Sequence, residues 1–256
     1  MARERGKTTG MFATREPRAR EDPQRWELHA AYVQANMLQG FRYLDLSGVV
    51  LNKVADRYRV HTVDPGGTVL RDPVTEDAPY QVRFGADRIW LHYAPLESLA
   101  PVLDTAAGWI QSISTDIEVT RFSRLGLRID YFHPVTDLVA TTKALNDLMP
   151  VRLLEGFVSP VKHDDDAEFS FSTRFPVEKL IVKILINSVH IMAPWSKPGD
   201  YESNGVSFAL DVYEQPHDGN SIRRNGVPDF LERARAQIEG LVESIGVPIL
   251  QELNHG

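Results

Sequence analysis

The sequence predicts an α+β fold: a largely antiparallel sheet packed by long amphipathic helices, in two similar lobes compatible with a duplication. Three stretches carry that expectation. Residues 119–131 alternate on a period of two, with Leu125, Leu127, Ile129 and Tyr131 on one side and Arg124, Gly126, Arg128 and Asp130 on the other. Residues 80–93 read as a hairpin, Val82 and Phe84 answering Ile89, Leu91 and Tyr93 across a Gly85-Ala86-Asp87 turn. Residues 96–113 place Leu96, Leu99, Val102, Leu103, Ala106, Trp109, Ile110 and Ile113 at helical steps of three and four.

The remaining elements follow in order. Folded structure is expected to begin near Trp26, and residues 27–39 fit either a strand or a short helix. Residues 41–60 read as extended segments, with Leu44, Leu46 and Val49 to Leu51 as inward candidates. Asp64-Pro-Gly-Gly67 is a turn, because Pro fixes φ and Gly permits positive φ, and residues 71–79 read as a polar loop. The helix over 96–113 starts near Pro101, with Ser98 as its expected N-cap. A shorter helix spans about 135–148. Past Pro150 come strand patterns at 168–174, 177–192 and 206–213, then a helical stripe of Phe230, Leu231, Ala234, Ile238, Leu241, Val242 and Ile245. Gly246 and Pro248 are expected to end that helix.

Composition narrows the function classes. The chain has 256 residues, 43% hydrophobic and 25% charged, the balance of a globular protein that needs no covalent staples. It has no cysteine, which excludes disulfides, thiolate catalysis and zinc–cysteine or iron–sulfur sites. No apolar run reaches the roughly 18–20 residues of a membrane span, and no secretory signal is evident, so a cytoplasmic protein without a membrane partner is expected. Residues 1–25 are expected to form a flexible basic tail, in which Arg3, Arg5, Lys7, Arg15, Arg18, Arg20 and Arg25 outnumber Glu4, Glu16, Glu21 and Asp22. The formal net charge is nevertheless −7, so the body (residues 26–256, lobes about 26–150 and 151–256) is acidic. That balance argues against a broad nucleic-acid face and leaves the tail as the segment for phosphate contacts.

The hairpin at 81–93, the strand Arg124-Leu-Gly-Leu-Arg128, the strand Phe208-Ala-Leu-Asp-Val212 and the amphipathic stretch 229–245 together resemble a sporadically distributed family of uncharacterised bacterial proteins. The resemblance covers roughly residues 80–250. The family often continues its arginine strand with Asn-Arg, where this chain has Asp130-Tyr131, and often opens with a Pro-rich apolar strand that is not found here. The resemblance implies fold rather than activity. The family's patchy distribution implies a mobile-element or phage-defence setting.

Arg124 and Arg128 lie about 13 Å apart on a strand, so they suit a groove for separated anionic groups better than one small anion. The plainer alternative pairs each with a cross-strand acid. Gly126 between them suggests a close approach to the backbone. If strand 88–93 pairs with strand 120–132, His92 and His133 converge with Arg128 as an acid/base cluster; the plainer alternative is surface or hydrogen-bonded histidines. His163-Asp164-Asp165-Asp166 lacks the spacing of a calcium loop. Trp195, in the Pro-flanked loop Ala193-Pro-Trp-Ser-Lys-Pro198, is a candidate partner anchor. No serine elbow, phosphate loop or helical histidine pair is present, so no cofactor, metal or catalytic residue is assigned.

The expectation is therefore a non-enzymatic binding or assembly subunit that recognises a protein partner through a sheet face or edge, with homodimerisation open. The alternatives are an enzyme or anionic-ligand module centred on Arg124, Arg128 and Asp130, and a nucleic-acid-associated subunit using residues 1–25.

Overall fold

The computed structural model describes residues 25–38, 40, 42–64, 66–75, 78–94, 96, 98–148, 169–192, 202–216 and 220–255. The first half of the chain runs β1 (Glu27–Met37), α1 (Tyr43–Val54), β2 (Tyr58–Asp64), β3 (Gly67–Pro73), β4 (Gln81–Phe84), β5 (Arg88–Tyr93) and α2 (Ala100–Asp116). The second runs β6 (Arg121–Pro134), α3 (Leu138–Leu148), β7 (Ser170–Val177), β8 (Leu180–Met192), β9 (Glu202–Glu214), β10 (Ile222–Arg223), α4 (Val227–Leu241) and α5 (Val247–His255).

Among the described residues all strands join one ten-stranded sheet in the order β2-β3-β4-β5-β1-β6-β9-β8-β7, with β10 added to β6. Every pairing is antiparallel. The opening strands of the two halves, β1 and β6, meet at the centre through Val33↔Leu127 and Ala35↔Leu125. From that seam each half extends outward in reverse chain order: β5, β4, β3 on one side and β9, β8, β7 on the other. The arginine strand thus lies in the middle of the sheet, as its alternation predicts, with Leu125, Leu127 and Ile129 buried.

The period of two assigns each strand one apolar face. Ala31, Val33 and Ala35 of β1, Val82 and Phe84 of β4, Ile89 and Leu91 of β5, Phe208, Leu210 and Val212 of β9, and Val182, Ile184 and Ile186 of β8 all enter a single core. The helices supply its other wall: Val102, Ala106, Ile110 and Ile113 from α2, and Val227, Phe230, Leu231, Ala234 and Ile238 from α4. Burying side chains of this size stabilises by roughly 1.5–3 kcal/mol each, which is why the helices cover this face. Trp26 adds a specific tie, its indole Nε1 donating to the Gly246 carbonyl at 2.9 Å.

Four sequence expectations need correction. Residues 43–54 are a helix, not extended, and Leu44 is 67% exposed. Its buried positions, Tyr43, Val50 and Val54, recur at helical spacing, a pattern that the adjacent Val49–Leu51 run conceals. The stretch predicted as a loop from residue 71 continues as β3 to Pro73, because Arg71 pairs with both Val60 and Gln81. The residue capping α2 is Leu99 rather than Ser98, and no side chain bonds its first turn. The last helix does not stop at Gly246: it widens into a π turn over Val242–Gly246 and resumes as α5. In that turn the Val247 N–H reaches back to the Val242 carbonyl, a wider ring that lets Pro248 follow without blocking an interior bond.

The predicted tail (all but Arg25), the acidic tract at 163–166, Trp195 and the lobe boundary near 150 lie outside the described residues. Among the described residues no helix is long and apolar enough to cross a membrane.

Candidate partner-binding face

Among the described residues, the face of the sheet opposite the core carries no helix residues of the core cluster, and its side chains fall in register from strand to strand. One row runs Val60, Arg71, Gln81, His92, Tyr32, Arg128, Asp211, Lys183 and Arg174, each directly opposite the next. The neighbouring row runs Thr62, Val69, Arg83, Trp90, Gln34, Gly126, Tyr213, Ile181 and Pro176. Arg124 and Asp130 flank the rows on β6, opposite Asn36 and Ala30. Residues opposed in this way meet across the pleat, so the rows are contiguous surface.

Aromatic rings form the first part of this surface. Tyr32 and His92 stack with centroids 4.6 Å apart and an 8° interplanar angle. Trp90 lies 5.7 Å from Tyr32 and 5.6 Å from His92, and Tyr80 meets His92 edge-on at 5.5 Å. Burial lowers the His92 pKa below its ordinary value, opposed by Asp130 and helped by His29. The phenol of Tyr32 is shifted up by burial and by Asp130.

Cations form the second part. Arg124 sits 4.1 Å above the Tyr213 ring, and Arg174 lies 5.4 Å from the same ring. Arg128 lies 5.8 Å from the Tyr32 ring. Arg124 bonds Asp211 at 3.4 Å, and Arg128 grips Asp130 through Nε at 2.7 Å and Nη2 at 3.4 Å. Burial would pull the Arg128 guanidinium down, but the Asp130 bond and charge hold it above its ordinary value. The Asp211 carboxyl is raised by burial, with Arg124, Arg128 and Lys183 opposing that shift. Lys183 and Arg174 stand directly opposite each other, a like-charged pair.

Across these rows Arg71, Arg83, Arg124, Arg128, Arg174 and Lys183 face only Asp130 and Asp211. The acidic whole-chain charge thus hides a segregated one: the open sheet face is basic although the chain carries −7. Segregation of this kind is invisible in a net charge, because it depends on which strands pair.

The structure brings some predicted residues together and separates others. Arg124, Arg128, Asp130 and His92 share the open face. The predicted acid/base cluster does not form, because β1 intervenes between β5 and β6. His92 therefore opposes Tyr32 rather than Arg128. His133 falls on the core side, buried, with its ring 6.0 Å from Trp26. Among the described residues its Nδ1 has no hydrogen-bond partner, and burial lowers its pKa, opposed by the Arg25 backbone. Gly126 proves open rather than crowded: a Cβ there would lie 3.6 Å from Tyr213 Cβ, an ordinary contact. The residues that sequence reasoning missed are Tyr32, Trp90, Tyr213, Arg174 and Lys183. Strand alternation marks each of them as core-opposed, but only register shows that they adjoin.

Among the described residues no group of three His, Asp or Glu side chains is arranged to hold a metal ion. No known protein-family model matches this chain. No curated protein matches it either.

Proposed function

We propose that this protein is a non-enzymatic binding subunit whose open sheet face docks a protein partner bearing an acidic surface. The observation that carries the proposal is the basic, aromatic double row centred on Tyr32, Trp90 and Arg128, with the buried Tyr213 ring supporting Arg124 and Arg174. Trp, Tyr and Arg are the side chains that most often dominate binding energy at protein interfaces. A basic face on an acidic chain supplies attraction for an acidic partner and repels a second copy that approaches face to face. The mirrored strand order about the β1–β6 seam supports reading the chain as a diverged duplication whose second unit begins at β6 rather than near residue 150, with the face spanning both units. The family resemblance adds a mobile-element or phage-defence setting to the proposal.

An enzymatic centre at Arg124, Arg128 and Asp130 has less support, since two of the three form a bidentate pair with each other and Arg124 is held by Asp211. The test is affinity purification of the full chain from its native host. A stoichiometric protein should co-purify, dissociate with rising salt, and be lost in Trp90→Ala and in Arg174→Ala. Retention of the partner by both variants, or its absence from wild type, sinks the proposal. Nucleic acid as the salt-sensitive co-purifying species would replace the acidic protein as occupant.

A further inference from the structure

At one end of the central strand the chain builds a second, smaller cationic feature. Arg121 and Arg223 stand directly opposite each other where β10 adds to β6. Their neighbours Phe122 and Ile222, also in register, are buried in the core. The arginines therefore project from the other side of the ribbon, where both are exposed. Arg224 follows. Its N–H donates to the Thr120 carbonyl at 3.0 Å, and its Nη1 reaches the Val119 carbonyl at 3.5 Å. These three arginines, with Thr120 and Asn225, line an open cleft of about 430 Å³ whose lining includes no acidic residue.

Like charges set directly opposite across two strands repel. A neighbouring carboxylate normally relieves such a pair. Here the acids at the end of α2 are engaged elsewhere: Asp116 pairs with Lys53, and Glu118 with Arg42. None of the three arginines forms an ion pair among the described residues. Each guanidinium presents a planar fork of donors suited to an oxyanion. The floor is rigid, because Phe122 and Ile222 anchor both strands in the core and two bonds to backbone carbonyls fix Arg224.

We infer that the Arg121–Arg223–Arg224 cleft is a binding site for a phosphoryl oxyanion. The ligand inserts between Arg121 and Arg223, neutralising the opposed pair, and accepts further hydrogen bonds from Arg224 and from the Thr120 and Asn225 side chains. The cleft volume leaves room for a substituent on the phosphoryl group. The site stands independently of the docking proposal above, since none of its residues belongs to the aromatic rows.

The test is calorimetric titration of the full chain with inorganic pyrophosphate in phosphate-free buffer, then with a twelve-residue oligothymidylate in a parallel arm. Saturable one-site binding is expected in at least one arm, weakened tenfold or more in the Arg121→Ala/Arg223→Ala double variant. Pyrophosphate binding alone assigns the site to terminal phosphoryl groups, and oligonucleotide binding alone to phosphodiesters. Arg223→Lys keeps the charge but loses the fork and should also weaken binding. Lys143→Ala, an exposed cation on α3, should not. Removing one member of the repelling pair should leave ligand-free thermal stability equal to or above wild type, which separates loss of binding from loss of fold. No saturable binding in either arm, undiminished binding in the double variant, or equal weakening by Lys143→Ala overturns the inference.

Discussion

Arg128 stands directly opposite Asp211 across β6 and β9, yet its guanidinium bonds Asp130, two residues along its own strand. Asp211 is taken by Arg124 from a diagonal position instead. Two carboxylates thus restrain two of the six face arginines and lysines, and the rest of the basic surface carries the docking charge. Asp130→Asn should release Arg128 and raise the positive charge of the face. The Arg128 side chain is 45% accessible but that of Asp130 only 15%, so the pair is part-buried and the substitution should cost on the order of 1–3 kcal/mol. Elution from a heparin column should move to higher salt, and urea unfolding checks the stability side. An earlier elution contradicts the charge argument.

The core and open faces of β6 should respond oppositely to truncation. Leu127 is fully buried at the central seam, so Leu127→Ala should cost roughly 2–5 kcal/mol in urea unfolding. Gln34, beside it on β1 but facing outward, should tolerate Ala within about 0.5 kcal/mol. Comparable losses at both positions would mean that the two faces are not distinct.

Two strand glycines give a sharper contrast. At Gly205 a Cβ would fall 2.2 Å from the Phe132 ring and 2.6 Å from the His133 carbonyl oxygen. Gly205→Ala should therefore lose at least about 1–3 kcal/mol through forced displacement of that ring and backbone. At Gly126 the nearest atom is at 3.6 Å, so Gly126→Ala should unfold within about 1 kcal/mol of wild type. If the partner approaches the β6 backbone, the same substitution should weaken its binding. Thermal unfolding and partner titration read the two effects separately.

The His92 stack should make stability pH-dependent. Its folded pKa lies below the unfolded value, chiefly through burial, with Asp130 opposing and His29 adding to the shift. As pH falls, the unfolded chain takes up the proton first. The contribution of the stack is then complete above roughly pH 6.5 and is lost as pH drops from there toward the lower folded value. His133 shifts in the same direction, so His92→Gln should reduce the fall in melting temperature between about pH 7.5 and 5.5 without abolishing it. An NMR titration of the His92 ring should give a midpoint below the ordinary imidazole value. A midpoint above it rejects the buried stack.

Much of the architecture is legible before any coordinates. Alternation in residues 119–131 and 80–93 names the strands and their inward residues, because a half-buried pleat imposes a period of two that composition cannot mimic by accident over so many positions. The stripes from Val102 to Ile113 and from Phe230 to Ile238 name two helices for the same reason. Where local signals conflict, they mislead. The Val49–Leu51 run looks extended within a helix whose buried residues are Tyr43, Val50 and Val54, and Gly246-Val-Pro248 looks like a stop within a helix that widens and continues.

What the sequence determined by itself is therefore which residues of each strand turn inward and which outward, since that follows from the backbone geometry of one segment. Only the tertiary structure decided which outward residues become neighbours. Strand pairing places β1 between β5 and β6, keeps His92 from Arg128, puts Tyr32 between them, and sets Arg121 against Arg223. Register joins residues as distant as Arg71 and Arg174 into one row. The physical reason is that a surface is assembled by hydrogen bonds between strands, and no single strand contains the information that selects its partners.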